Sequence, residues 1–477
     1  MGNAESKLRL FLENFIVYGL GGVVRNVVPL VMLPIVTRML PGTTYYGLSD
    51  LSNTLLQIGS ALAVMGMYDA LFRMFFEKND REYKISMCST AMIFTTISSI
   101  ILSILLLAFG KAIAQFFFGG REYINLVYIT AATVLVSSTN NIIAAPTRMK
   151  NDRKTYLIIN IMTPVISYSI TILLIMSKCY LMALPIGALV SGMIMEGAFL
   201  LINKEWFNFK TFNVDYLKDL LRIAIPLLPN FIIYWIFNSS DRLMITNLIG
   251  LSAAGIYAVA SKLGHCSQLI YTAFAGGWQF FAFSTMHEED QVKSNSAIFE
   301  YLAVISFVFT MIVCVASRWI FSVLFSSDYY QGYLAAPYLF FAPLTQMLFQ
   351  VACNQFLVVK KTWPNLIILA FGALMNIILN VVLIPAIGIE GAAIATLVGY
   401  VVSVIVCTSV LVKMRLMIVS NRLYIASITM LTFLCLWRFA FHRFIVIGIL
   451  AVTVCIGVYT IAYHKEIKFL LHKIRRR

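Results

Sequence analysis

The chain of 477 residues is 60% hydrophobic and only 12% charged, with a mean hydropathy of +0.86, against about 45–50% apolar residues in a typical soluble domain. That composition excludes a soluble globular enzyme and leaves no room for a large extramembranous catalytic domain. The 36 Lys and Arg outnumber the 21 Asp and Glu, but no basic, aromatic-interleaved segment offers a nucleic-acid surface, so no nucleic acid is expected as a partner.

Apolar runs of about 20 residues between short polar breaks predict an all-α polytopic membrane protein, since barrel strands would alternate rather than run continuously. In chain order the predicted spans are 11–35, 46–76, 85–109, 122–146, 155–176, 180–202, 218–248, 252–284, 296–324, 331–358, 363–384, 388–412, 421–440 and 443–463, fourteen in all. With a cytoplasmic N-terminus, 25 Lys and Arg fall in inside segments, from Lys7 and Arg9 to the closing HKIRRR, and 7 in outside ones. This asymmetry predicts a multi-pass protein with both termini cytoplasmic, the positive charge marking topology and contact with anionic membrane lipids. The eight cysteines are scattered without a CxxC pair or a His partner at metal-ligand spacing, which predicts inert helix thiols and no metal centre. The start MGNAESKLRL matches an N-myristoylation pattern at Gly2 and Ser6, though so apolar a chain needs no lipid anchor; no cleavable signal peptide is expected.

The two halves carry the same landmarks. A shift of 208 lays Leu40-Pro41-Gly42 with Gly47-Leu48 over Leu248-Ile249-Gly250 with Gly255-Ile256. A shift of 207 lays Arg153-Lys154-Thr155-Tyr156 over Lys360-Lys361-Thr362-Trp363, and Leu184-Pro185-Ile186-Gly187 is echoed by Ile384-Pro385-Ala386-Ile387-Gly388. We therefore expect two parallel six-helix lobes around a central cavity, 1–212 and 213–415, followed by a helix pair and basic tail, 416–477.

Four cations fall inside predicted spans: Arg25, Arg73, Arg242 and Lys262. Each costs about 2.5–3.5 kcal/mol at a helix centre on insertion scales, so such groups default to a function. They occupy the first two helices of each lobe and are the expected substrate-binding residues. Asp69, four residues before Arg73, is expected to pair with it locally, whereas Asp241 adjoins Arg242 but leaves the helix about 100° away. Asp69, Asp241, His265 and Glu300 are the candidates for coupling to Na+ or H+; no other cofactor is expected. The proline pairs Pro29/Pro34, Pro226/Pro229 and Pro337/Pro343 predict bends, those in the first and seventh spans standing at corresponding places in the two halves. No GxSxG, P-loop, HExxH or GxGxxG motif occurs and no long outside loop exists, so an enzyme is not expected.

Thr37-Arg38-Met39-Leu40-Pro41-Gly42 with Tyr46-Gly47-Leu48, and Asn238-Ser239-Ser240-Asp241-Arg242 through Leu248-Ile249-Gly250 to Ala254-Gly255-Ile256-Tyr257, resemble the Wzx-type polysaccharide-biosynthesis flippases. These belong to the multidrug/oligosaccharidyl-lipid/polysaccharide exporter (MOP) superfamily. The resemblance implies two lobes in a V around a cationic cavity, working by alternating access. It implies translocation of undecaprenyl-diphosphate-linked oligosaccharide units from the inner to the outer leaflet of a bacterial cell (inner) membrane. The product would be O-antigen, capsule or a similar surface polymer, with polymerase and chain-length proteins as pathway partners. By the same resemblance Arg25 and Arg242 match the first- and seventh-helix arginines that meet the diphosphate. The rival readings are a cation-coupled drug exporter of the same superfamily, which would favour acidic cavity residues, and a membrane-embedded glycan polymerase or ligase, which would need an outer catalytic loop.

Overall fold

The computed structural model describes residues 27–270, 290–359, 363–466 and 468, and no strand occurs among them. The helices are α1 (Val27–Met39), α2 (Thr43–Val64), α3 (Met67–Phe75), α4 (Arg81–Ala108), α5 (Gly110–Phe118), α6 (Ile124–Ile143), α7 (Ala145–Met149), α8 (Arg153–Met176), α9 (Ala183–Asn203), α10 (Val214–Ala224), α11 (Leu228–Ile249), α12 (Leu251–Gly264), α13 (Gln291–Leu324), α14 (Gly332–Val358), α15 (Trp363–Ile387), α16 (Ile389–Lys413), α17 (Asn421–Leu436) and α18 (Ile445–Ala462). Among the described residues 11 helices are long and apolar enough to cross a membrane, or 12 if the bent pair α2–α3 counts as one span. The two remaining predicted spans, 11–35 and 252–284, run into residues outside the described set, so the described chain carries eleven or twelve of the fourteen expected.

Local chemistry accounts for the ends and the breaks. Side chains cap helices in the segments assigned to the inside: Asp80 accepts from the Glu82 and Tyr83 amides, Asp152 from Thr155, Asn213 from Asp215 and Tyr216, and Ser420 from Leu423. The 46–76 run is two helices rather than one, bent by 46° at Met65 and Gly66, whose φ angles are 51° and 77°. The expected break near Pro226 is present as a 3-10 turn, Ile225–Leu227, between α10 and α11. Pro337 and Pro343 lie inside an uninterrupted α14.

The chain packs as two compact units that meet in sequence after Ala258. The first packing unit runs on through α10, which adds Leu220 and Ala224 to the buried cluster of Met67, Leu71, Met87 and Met195, and α11, whose Arg242 bonds Asp50 of α2. Within the first unit the landmarks superposed by the 208 shift pack against each other. A Cβ on Gly47 would stand 2.8 Å from both the Gly255 nitrogen and the Leu251 carbonyl oxygen. A Cβ on Gly255 would meet the Thr43 carbonyl. Beside them the Thr43 and Ser252 hydroxyls hydrogen-bond at 2.7 Å.

In the second unit α14 is the buried centre, with Phe349 and Phe356 fully enclosed. Glu300 of α13 accepts hydrogen bonds from Ser420 and Tyr463, both at 2.7 Å, which fastens the last helix pair to α13. Gly388, at φ 65° and ψ −141°, turns the chain between α15 and α16. Gly388→Ala is expected to lower stability by about 1–3 kcal/mol, because that backbone region is strained for any residue with a Cβ. A thermal unfolding midpoint unchanged from wild type would refute this.

Candidate functional site

The first unit contains a cavity of about 300 Å³ whose lining is polar. Ser137, Asn140 and Asn141 of α6, with Ala144 just past its end, line it at i, i+3, i+4 and i+7, and Tyr156, Ile159, Asn160 and Thr163 of α8 repeat that spacing. Tyr68 of α3 and Arg148 of α7 complete the polar rim, while Met195 and Phe199 of α9 form an apolar wall. The Arg148 guanidinium donates to the Tyr68 hydroxyl at 3.0 Å and lies 6.0 Å from the Phe72 ring centre. Asn141 and Asn160 each donate to a carbonyl four residues back, at 3.0 and 2.8 Å. The buried Oδ1 of Asn140 has no hydrogen-bond partner among the described residues. A buried polar group inside a membrane bundle is costly unless water or a ligand meets it. A guanidinium suits phosphate oxygens, and amides with hydroxyls suit the donor and acceptor pattern of sugar hydroxyls.

A second constellation in the same unit is a buried charge cluster on α2, α11 and α12. Arg242 Nε donates to Asp50 Oδ2 at 2.5 Å, with side chains 11% and 6% exposed. Its NH1 lies 3.7 Å from Asp241 Oδ1 and donates to the Asn238 carbonyl. Asp241 Oδ1 accepts from the Arg242 amide at 2.8 Å, and Asp241 Oδ2 accepts from the Tyr257 hydroxyl. Two carboxylates thus share one guanidinium. The expectation that Asp241 and Arg242 diverge is corrected: the long arginine side chain folds back over Asn238 and brings its guanidinium within reach of Asp241.

The sequence profile of the family described as "Polysaccharide biosynthesis protein" matches residues 35–334. The chain belongs to the polysaccharide biosynthesis protein family. This polysaccharide biosynthesis protein has the fold of MOP-superfamily transporters. It is similar in structure to the lipid II flippase MurJ in an inward closed conformation, at 15% identity and a TM-score of 0.70, over 96% of this chain and 99% of that one. It is similar also to an inward-facing multidrug resistance MATE family transporter, at 14% identity and a TM-score of 0.60, over 83% and 98% of the two chains. A third likeness is to a MOP superfamily transporter from Pyrococcus furiosus described by the reverse polarity of its binding pocket, at 16% identity and a TM-score of 0.54, over 85% and 95%. No curated protein matches it by sequence.

In this polysaccharide biosynthesis protein the structure does not bring Arg73 and Arg242 together. Arg25 lies outside the described residues. Arg73 is exposed in the last turn of α3, 23 residues along the α2–α3 span from Asp50, which is roughly 30 Å of helix. Arg73 and the Arg242 cluster therefore sit at opposite ends of that span. Among the described residues no ion pair joins Asp69 to Arg73, and both are exposed, which corrects the expected local pair. Lys262 is exposed in the last turn of α12, in the second unit. His265 Nδ1 is 2.6 Å from the Ser261 carbonyl of its own turn, and Glu300 serves the contact with Ser420 and Tyr463. Sequence reasoning missed Arg148, one of the inside-segment charges, and Asp50, which lies inside the predicted 46–76 span and was not singled out. The signal that could have found the cavity is Ser137, Asn140 and Asn141 on α6 with Tyr156, Asn160 and Thr163 on α8, polar side chains at helical spacing within apolar spans.

Proposed function

We propose that this protein is a flippase that moves undecaprenyl-diphosphate-linked oligosaccharide units from the cytoplasmic to the outer leaflet of a bacterial inner membrane, by alternating access and without chemical change to the cargo. Family membership with a MOP transporter fold supports the reading, and the observation that carries it is the polar cavity around Arg148. A diphosphate with a hydrated glycan needs a guanidinium and many hydrogen-bonding partners sheltered from hydrocarbon, and the lipid tail can remain in the bilayer. In this reading Arg148 with the α6 and α8 amides receives the headgroup at the inner end, and Arg25, Arg73 and Lys262 stay candidate substrate-binding residues. Arg242 meets the headgroup only if Asp50 and Asp241 release it. Asp241, paired with Asp50 around one guanidinium, is then the strongest of the coupling candidates, because a proton or Na+ would balance the second carboxylate. Asp69, His265 and Glu300 are the other coupling candidates. Polymerase and chain-length proteins would take the delivered units.

The test is the leaflet location of the lipid-linked units in cells with the protein present, depleted, or carrying Arg148→Gln with Asn160→Leu. Depletion is expected to trap the units on the cytoplasmic side, and the double variant to lower transport about tenfold or more while inserting normally. Units that reach the outer face at the wild-type rate after depletion would overturn the flippase reading. A fully active double variant would overturn the site alone.

A further inference from the structure

The second unit holds another cavity, of about 290 Å³, at the end where the α13–α14 turn and the α17–α18 turn lie together. Its basic lining consists of Arg318, Arg443 and His442. Arg318 Nε donates to the Tyr330 hydroxyl at 2.7 Å and its NH1 to the Arg443 carbonyl. These contacts fix the guanidinium but put no carboxylate beside it. Among the described residues neither Arg318 nor Arg443 forms an ion pair; the nearby Arg438 does, with Glu390. Burial, together with Arg438, Arg443 and Arg318, holds the His442 imidazole below its ordinary range, as a locally positive site should.

A third source of positive potential opens on the same space. Phe444, the residue that precedes the 18-residue α18, and Ile445, its first residue, line the cavity, and no side chain caps that helix start. Its first backbone N–H groups therefore lack the oxygen that caps the α4, α8, α10 and α17 starts, and a helix start with free N–H groups favours an anion. The surroundings are those of a membrane interface: Trp319, lining the cavity, is 61% exposed, and Phe439 of the adjoining turn is 84% exposed. By the charge asymmetry this is the outer end of the spans.

The geometry points to a binding site for a lipid-borne phosphate, the headgroup of an anionic membrane lipid, held between Arg318, Arg443 and the start of α18. The phosphate takes the guanidinium edges and the free amides, and the acyl chains lie along the apolar faces of α13 and α18, where Gly448 leaves room for close packing on Val315. This goes beyond the flippase reading and does not depend on it.

Native mass spectrometry of the full-length protein in detergent, with added phosphatidylglycerol or phosphatidylcholine, tests it. Wild type is expected to retain phosphatidylglycerol about tenfold more than phosphatidylcholine. Arg443→Gln, which leaves the Arg443 carbonyl and its bond to Arg318 intact, is expected to lose several-fold of that preference, and Arg318→Gln/Arg443→Gln all of it. Arg422→Gln, at the other end of α17 and paired with Glu466, is expected to retain it. A preference unchanged in both cavity variants, or absent from wild type, overturns the site. If inorganic phosphate at millimolar concentration strips the lipid as completely as the double variant does, the ligand is a free phosphate and the lipid assignment fails.

Discussion

Asp50→Ala is expected to lower stability by about 3–5 kcal/mol, the cost of leaving a buried guanidinium without its closest carboxylate. Arg242 is 11% exposed and bonds Asp50 at 2.5 Å, while Asp241, its other carboxylate, is already engaged by Tyr257 and by the Arg242 amide. In an Arg242→Met background the same substitution is expected to cost at least about 1.5 kcal/mol less, because no stranded charge remains. Denaturant unfolding of the four proteins in one detergent measures the coupling directly. Equal costs in the two backgrounds would show that Asp50 matters for packing alone. A coupled result makes the cluster a latch between α2 and α11, one that a proton or cation could weaken by competing for the second carboxylate.

The sequence made this cluster only half visible, and the reason is physical. Hydropathy finds an ionisable group within a span but not its partner, and Asp50 and Arg242 are 192 residues apart. Local spacing was misleading in both directions. Asp69 and Arg73 share a helix face yet form no pair, since both side chains are exposed and a surface ion pair is worth little. Asp241 and Arg242 are adjacent and do interact, because a long side chain overrides the 100° between their Cβ directions. The spans that lie within the described residues were legible to within a few residues, as apolar length and polar caps dictate them, but the bend at Met65 and Gly66 was not, since nothing polar interrupts the run there. The cavity around Arg148 was legible in principle as two rows of amides and hydroxyls at helical spacing. Attention to charge alone passed over it.

The repeat landmarks acquire a physical meaning in the same unit, and Gly255 tests it. Gly255→Ala is expected to destabilise by about 1–3 kcal/mol, the usual cost of overpacking, because the new Cβ would lie 2.7 Å from the Thr43 carbonyl carbon with no flexible side chain to yield. Gly47→Ala is expected to cost a similar amount, its Cβ facing the Gly255 nitrogen and the Leu251 carbonyl oxygen at 2.8 Å. The double variant should cost clearly less than the sum, since one outward shift of α2 from α12 relieves both contacts. Gly457→Ala, whose Cβ would meet nothing within 4 Å, is expected to be neutral or slightly stabilising, as a helical glycine replaced without strain should be. Additive losses would mean that the two glycines report separate contacts. Sub-additive losses would mean that the Leu-Pro-Gly…Gly and Leu-Ile-Gly…Gly segments recur because both sides of one close helix crossing need a residue without a Cβ.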